Sequence, residues 1–267
     1  MTDEMDESAI LVEKRDGYRI VTLNRPARLN AFTIPMHRVL AREIADAEAD
    51  KTCRALLLTG TGRAFSTGQD LTERVLPNGE IVVPGEALEK FYNPLVLKLR
   101  ALPFPLVCAV NGVCAGASCN IALGCDIVLA ARSASFLQPF ARLGIIPDAG
   151  GTWLLPRLIG PARARGLALM AEPISAEKAE EWGMIWKVVD DAALMSEAEK
   201  LCAQLATGPT YGYATIKRAF DAAEDNDLAT QLDLERKLQR DAGSHEDYRE
   251  GVTAFLAKRK PAFTGKR

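Results

Sequence analysis

The 267-residue chain has only two histidines, His37 and His245, and both lie far in sequence from its glycine-rich turns. A Ser-His-Asp or Cys-His mechanism needs a histidine beside the nucleophile, so the sequence disfavours both. No histidine, cysteine or carboxylate residues cluster with the spacing of metal ligands. We therefore expect neither nucleophilic triad chemistry nor a bound metal.

Paired cysteines of the C-x-x-C type are also missing. The six cysteines lie mostly among apolar neighbours, which is typical of reduced thiols in a protein core. Reduced thiols and an acidic, polar N-terminal segment unlike a signal peptide predict a cytoplasmic protein.

Long apolar runs and a strong net charge are absent as well. No uninterrupted apolar run approaches the ~18 residues that a membrane helix needs, so we expect no membrane insertion. The formal net charge is −2, which gives no electrostatic reason to expect nucleic-acid binding. With 48% hydrophobic and 25% charged residues, the composition is that of a soluble globular protein.

Strand–turn–helix units repeat through the first two-thirds of the chain and predict an α/β fold with right-handed connections. The pattern begins with a hairpin around Asp16-Gly17 and a helix over 34–49. After Gly151 the periodicity is mainly helical. We expect an α/β core over 1–195 and a C-terminal helical region over 196–267.

A glycine-containing loop follows the buried strand that ends near Thr59. Dinucleotide binding through G-x-G-x-x-G would need glycine where Phe65 stands, and no G-K-[ST] occurs, so the nucleotide hypothesis fails. A glycine-shaped turn whose N–H groups face a ligand remains a hypothesis for residues 60–71.

A second candidate turn lies in the most apolar stretch of the chain. Residues 106–110 predict a buried strand, and residues 113–124 are nearly all small or apolar, which favours a helix buried on all sides. Gly116 and Ala117 at its start would allow close backbone approach, and free N–H groups there would suit a negatively charged oxygen.

Asp148 is the one acidic residue between Asp126 and Glu172 and lies in an apolar turn shaped by proline and glycine. Two interpretations remain open for it. Asp148 caps the helix that starts near Gly150, or it is a desolvated base that moves a proton next to a carbonyl group.

Four strings resemble the crotonase (enoyl-CoA hydratase/isomerase) superfamily: LNRP (23–26), RLNA (28–31), GRAFSTGQDL (62–71) and NGVCAGA (111–117). The resemblance covers essentially the whole chain. It implies a spiral of ββα units, a helical C-terminal part that forms homotrimers or hexamers, and an acyl-CoA substrate. It implies no separate cofactor, because coenzyme A is part of the substrate.

The resemblance also implies roles for individual residues. The N–H groups of Gln69 and Ala117 would form an oxyanion hole for the thioester, and Phe255 and Lys258 would reach a CoA on a neighbouring subunit. The CoA and substrate site would be lined by Arg28, Leu29, Ala31, Ser66, Gly68, Asp70, Leu71 and Gly116.

This chain departs from the hydratases of that family at two positions. Asn120 and Phe140 stand where hydratases carry the two glutamates that position water, so both residues would line a pocket that does not hydrate. Asp148 stands where some relatives place a catalytic acid.

Further strings resemble one branch of the family, namely FYNPLV (91–96), EWGMIW (181–186), QLDLER (231–236) and DYREGV (247–252). Members of that branch isomerise ring-epoxidised phenylacetyl-CoA to an oxepin-CoA in phenylacetate breakdown. The alternatives are a Δ3,Δ2-enoyl-CoA isomerase, an enoyl-CoA hydratase of fatty-acid oxidation, or a non-enzymatic acyl-CoA-binding scaffold.

Overall fold

The computed structural model describes residues 5–267, and these residues form two β-sheets surrounded by helices. The strands are β1 (Ile10–Arg15), β2 (Tyr18–Leu23), β3 (Ala55–Gly60), β4 (Ala64–Ser66), β5 (Leu106–Val110), β6 (Val113–Ala115), β7 (Ile127–Ala131), β8 (Ser135–Leu137), β9 (Ile174–Ser175) and β10 (Lys187–Val189).

The first helix, α1, spans the predicted residues 34–49. The helices are α1 (Ile34–Ala49), α2 (Asn93–Arg100), α3 (Ala117–Leu123), α4 (Gly151–Met170), α5 (Ala176–Glu181), α6 (Leu194–Ala206), α7 (Thr210–Ala223), α8 (Leu228–Ser244) and α9 (Glu246–Leu256). Helix α4 is interrupted at Gly160, where φ is 77°.

The larger sheet has the strand order β1-β2-β3-β5-β7-β10. Its first pair is the predicted antiparallel hairpin, and its other pairs are parallel. Strands β3 and β5 are buried along almost their whole length, because parallel strands are covered on both faces and therefore carry continuous apolar runs. The expected α/β class is confirmed.

The smaller sheet has the order β4-β6-β8-β9 and brings the two glycine-containing segments together. Strands β4 and β6 are parallel, with Ala64 opposite Val113 and Ser66 opposite Cys114. Because the carboxyl ends of parallel strands lie at the same edge, the segments that follow Ser66 and Ala115 meet there.

The predicted helix start at Gly116 and Ala117 is confirmed, and the residues just before it form a strand. Residues 113–115 form β6, and α3 begins only at Ala117. Strand pairing with β4 and β8 holds Val113–Ala115 extended, and Gly116 then turns the chain with φ 63° and ψ −140°. Only glycine adopts this conformation without strain.

Helix α6 crosses the predicted boundary between residues 195 and 196. Helix α6 starts at Leu194 and packs against β3, β5 and β7, so it belongs to the sheet's core. Helix α7 packs on α8, and α8 packs on α9. The division into a core and a C-terminal region stays a prediction. No helix within residues 5–267 is long and apolar enough to cross a membrane.

We predict that Gly112→Ala weakens the junction between the two sheets. A Cβ at Gly112 would lie 2.2 Å from the backbone oxygen of Arg63, so the chain beside β4 would have to shift. Overpacking of this kind costs about 1–3 kcal/mol of the free energy of unfolding. Urea denaturation measures the loss.

The matched control is Gly166→Ala, because Gly166 lies inside α4 and a Cβ there meets no atom within 4 Å. Alanine is favoured over glycine in a helix interior, so this variant should gain about 0.5–1 kcal/mol. Equal stability of both variants would show that the close approach at Gly112 is unimportant.

Candidate active site

Two backbone N–H groups lie where the glycine-containing segments meet. A Cβ on Gly68 would lie 3.0 Å from the oxygen of Ala115 and 3.3 Å from the nitrogen of Ala117, so the two backbones are almost in contact. In the described part of the chain, the N–H groups of Gln69 and Ala117 have no hydrogen-bond acceptor. We call this pair the donor turn. Its two donors suit an oxygen that gains negative charge.

Hydrogen bonds on both sides hold the donor turn in place. Phe32 N–H donates to the oxygen of Gly68 at 2.7 Å, and Asp70 N–H donates to the oxygen of Phe32 at 2.9 Å. On the other side, the Ser118 hydroxyl donates to the oxygen of Ser66 at 2.9 Å. The positions of the two donors are therefore set before any ligand binds.

Asp148 lies in the loop before α4, and its Oδ1 atom is buried without a hydrogen-bond partner among the described residues. Burial raises the pKa of Asp148 to about 6, and the nearby charge of Arg74 offsets only part of that rise. Helix α4 is capped by Gly150, with no side-chain hydrogen bond at its start. The helix-cap interpretation of Asp148 is wrong.

Asn120 connects the helix that carries one donor to the loop that carries the carboxylate. Its side-chain amide donates to the backbone oxygen of Asp148 at 2.8 Å and accepts from the amide of Gln138 at 2.8 Å. Asn120 is fully buried, so in this structure its polar groups hold the loop rather than face a ligand. A Cβ at Gly151 would lie 2.3 Å from the Asn120 amide nitrogen, which explains the glycine there.

A cavity of about 520 Å³ adjoins Asp148. Most of its lining is apolar, and Asp148 is the only carboxylate among the described residues that line it: Pro84, Leu88, Asn93, Ile145, Ile146, Pro147, Asp148, Ala149, Gly150 and Thr152. Phe140 lies nearby in the short helical turn Pro139–Leu143, where its side chain is buried. The two positions that the resemblance aligns with hydratase glutamates thus hold a buried amide and a buried ring.

The fold brings together the predicted CoA-binding residues that lie between positions 28 and 71. The loop with Leu29 and Ala31 runs beside the segment 66–71, because Thr67 N–H donates to the oxygen of Leu29 at 3.1 Å. Arg28 and Leu71 are exposed at this edge. Ser66, Gly68 and Asp70 are buried beneath it.

The Asp70 carboxylate accepts hydrogen bonds from other residues of the protein. Burial would raise its pKa, but hydrogen bonds from Thr72 and from Arg25 outweigh burial and hold the pKa below its ordinary value. Its ion pair with Arg25 measures 3.2 Å. Asp70 therefore supports the edge of the site as an ionised side chain.

Phe255 and Lys258 are not brought to the cavity that Asp148 lines. Phe255 is 82% exposed near the end of α9, where it lines an apolar groove formed with α7 and α8. Lys258 is also exposed. Their predicted contact with the CoA of a neighbouring subunit stays a prediction.

Two residues of the site were missed in the sequence. Arg74 donates to the Gln69 side-chain oxygen at 3.1 and 2.5 Å and lies close enough to Asp148 to affect its pKa. Tyr92 is buried, and its hydroxyl has no hydrogen-bond partner among the described residues. Neither residue lies in a sequence motif that is typical of catalytic residues. Tyr92 appeared only within the FYNPLV string.

Comparison with known proteins identifies the family of this chain. The enoyl-CoA hydratase/isomerase family matches residues 13–266, so the chain belongs to that family. It is 58% identical to the 1,2-epoxyphenylacetyl-CoA isomerase of Escherichia coli, over 96% of this chain and 98% of that protein.

Two further similarities span almost the whole chain. The trans-2-decenoyl-(acyl-carrier-protein) isomerase of Streptococcus mutans is 35% identical over 98% of this chain and 100% of that protein. The crystal structure of an enoyl-CoA hydratase from Bacillus anthracis has a TM-score of 0.88 and 30% identity, covering 97% of this chain and 100% of that one.

We predict that Asp148→Asn stabilises the folded protein at pH 8. The pKa of Asp148 is raised to about 6, so above that pH the folded state carries a charge whose burial costs at most about 3 kcal/mol. Below about pH 3 the carboxyl is mostly protonated in both the folded and the unfolded chain, so the difference from wild type should nearly vanish. Thermal denaturation at both pH values measures the effect.

Asp233→Asn is the control, since Asp233 is exposed on α8 and hydrogen bonds from Lys237 and Arg236 lower its pKa to about 2. This variant should gain no stability at pH 8. A destabilised Asp148→Asn at pH 8 would contradict the desolvation of Asp148.

Proposed function

We propose that this protein is an acyl-CoA isomerase that converts 1,2-epoxyphenylacetyl-CoA to an oxepin-CoA. The observation that carries the proposal is a single desolvated carboxylate that Asn120 and Arg74 connect to the donor turn, in a cavity whose described lining has no second acid. An isomerase removes a proton at one carbon and returns it at another, so one carboxylate serves both steps.

The thioester oxygen would accept hydrogen bonds from the N–H groups of Gln69 and Ala117. These donors stabilise the negative charge that the oxygen gains when the neighbouring carbon, Cα, loses a proton. Because the donors are held by the bonds around Phe32 and Ser118, little reorganisation is needed when the charge forms.

Asp148 would act as the base and then as the acid. Its pKa of about 6 leaves it mostly ionised at neutral pH, yet basic enough to accept the proton from Cα. The electron pair of the Cα–H bond forms a Cα=Cβ double bond, and the former Cβ=Cγ pair takes the proton at Cγ. No atom is gained or lost.

The ring substrate follows the same scheme. An arene 1,2-epoxide and a seven-membered oxepin are valence isomers, related by breaking the ring bond between the two oxygen-bearing carbons. The oxepin has a Cβ=Cγ double bond relative to the thioester. Transfer of a proton from Cα to Cγ then conjugates that double bond with the carbonyl group.

A Δ3,Δ2-enoyl-CoA isomerase is the second candidate, because the same proton shift acts on a linear acyl chain. The similarity to an isomerase of a decenoyl thioester favours it. Hydration is disfavoured for two reasons. The Asn120 side chain is hydrogen-bonded to Asp148 and Gln138, and Phe140 has no carboxylate that could orient a water molecule.

Assembly into a homotrimer or a hexamer is part of the proposal. On a lone subunit the C-terminal helices would expose large apolar side chains to water, which is unfavourable. These side chains are Ile216, Phe220, Leu228, Leu232, Tyr248, Val252, Phe255 and Leu256. In the assembly, Phe255 and Lys258 would contact CoA bound to the next subunit.

We predict that Asp148→Asn lowers kcat for isomerisation by about 10²–10⁴, because the amide keeps the shape but cannot take a proton. In the wild type, kcat/KM should rise with pH through about 6, as Asp148 ionises. Stopped-flow assays with epoxyphenylacetyl-CoA and with a 3-enoyl-CoA measure both effects.

Asp233→Asn, on exposed α8, serves as the control and should keep wild-type rates. A folded Asp148→Asn variant with most of its activity would place the base elsewhere.

We predict that the protein sediments as a trimer or as a hexamer at micromolar concentration. Burial of the apolar residues of α7–α9 supplies the driving force, so dilution in high salt should not dissociate the assembly. Sedimentation velocity gives the mass. A monomer would refute the assembly and the shared CoA site.

A further inference from the structure

Tyr92 combines deep burial with an unsatisfied polar group. The residue is 2% exposed, and its hydroxyl has no hydrogen-bond partner in the described part of the chain. Leaving a buried donor unpaired costs about 1–3 kcal/mol, so such groups are rare unless function requires them. The Oδ1 atom of Asp148 is unpaired in the same way.

The backbone places Tyr92 beside the Asp148 cavity. Tyr92 ends the π-helical turn Leu88–Tyr92, where Asn93 N–H donates to the oxygen of Leu88. Leu88, one turn earlier, and Asn93, the next residue, both line the cavity that contains Asp148. Single π-helical turns of this kind occur often at functional sites.

Ring contacts also connect Tyr92 to the donor turn. The Tyr92 ring lies edge-on to the His37 ring with centroids 4.2 Å apart, and 6.3 Å from the Phe32 ring. Phe32 in turn pairs with Gln69 through the backbone. The phenol ring is thus packed near both the base and the oxyanion donors.

The phenol is a hydrogen-bond donor under all ordinary conditions. Burial, and after it the nearby charge of Asp148, raise the pKa of Tyr92 well above its ordinary value. Burial also lowers the pKa of His37 to about 3, so the neighbouring imidazole is neutral and supplies no charge to ionise Tyr92.

We propose that the Tyr92 hydroxyl donates a hydrogen bond to the oxygen on the ring of the acyl group. The inference rests on the proposed function and adds a substrate-contacting residue to it. In a 1,2-epoxide the oxygen is bonded to the ring carbon attached to Cα, and is therefore two bonds from the atom that Asp148 deprotonates. A donor close to Asp148 is within reach of that oxygen.

This contact selects between substrates. An acyl chain with an oxygen at that position satisfies the buried hydroxyl, whereas a hydrocarbon chain leaves it unpaired. Tyr92 would therefore favour oxygen-bearing ring substrates over linear enoyl thioesters of the same reaction class.

The test compares Tyr92→Phe with wild type on epoxyphenylacetyl-CoA and on 3-hexenoyl-CoA. The variant should lose roughly ten-fold more kcat/KM on the ring substrate than on the linear one, because only the ring oxygen loses its donor. Its melting temperature without substrate should not fall, since the deleted hydroxyl has no partner. The pH at which kcat/KM reaches half its maximum on 3-hexenoyl-CoA should stay near the wild-type value.

Tyr18→Phe is the matched control. Tyr18 is also buried, but its hydroxyl donates to Glu199 at 3.2 Å, on the hairpin strand β2 away from the site. This variant should lose stability and keep the wild-type ratio of the two kcat/KM values.

Each outcome separates the possibilities. Equal losses on both substrates with a shifted pH profile would show that Tyr92 acts through Asp148, and equal losses with a lower melting temperature would show a packing role. Either result overturns the inference. A wild-type enzyme that isomerises 3-hexenoyl-CoA but not the epoxide would refute the ring-substrate function itself, and the inference with it.

Discussion

The hydrogen bond from the Asn120 side chain to the backbone oxygen of Asp148 joins the two parts of the site. Asn120 lies one turn after Ala117 on α3, so the helix whose N–H group is proposed to bind the thioester also holds the loop with the carboxylate. Gln138 fixes the other end of the amide, and Gly151 leaves room for it. A rigid, buried contact thereby sets the distance between the Asp148 loop and the proposed oxyanion donors.

Desolvation of the Asp148 carboxylate raises its pKa. An aspartate in water has a pKa near 4 and is a weak base, but the apolar walls around Asp148 raise its pKa to about 6. Arg74 limits the rise and also binds the Gln69 side chain, so one cation acts on both halves of the site. The result is a carboxylate that is mostly charged at neutral pH and that, in the proposed reaction, takes the proton and returns it.

Much of this arrangement could be predicted from the sequence, because strong local signals coincide with it. The apolar runs at 55–58 and 106–110, the helix at 34–49 and the positive-φ glycines at 68 and 116 each act through backbone preference and burial. The strand at 113–115 was not distinguished from the helix after it, because small apolar residues fit a buried strand and a buried helix equally well. The role of Asn120 and the burial of Tyr92 depend on contacts across the fold, which spacing along the chain does not show.

The most direct test of a single carboxylate that moves one proton is isotope transfer. A 3-enoyl-CoA deuterated at Cα should be isomerised in ordinary water during one turnover, and the product analysed by NMR. If Asp148 carries the hydrogen from Cα to Cγ inside a cavity with mostly apolar walls, part of the deuterium should appear at Cγ. A product with only solvent hydrogen at Cγ, even in the first turnover, would contradict transfer by one shielded carboxylate.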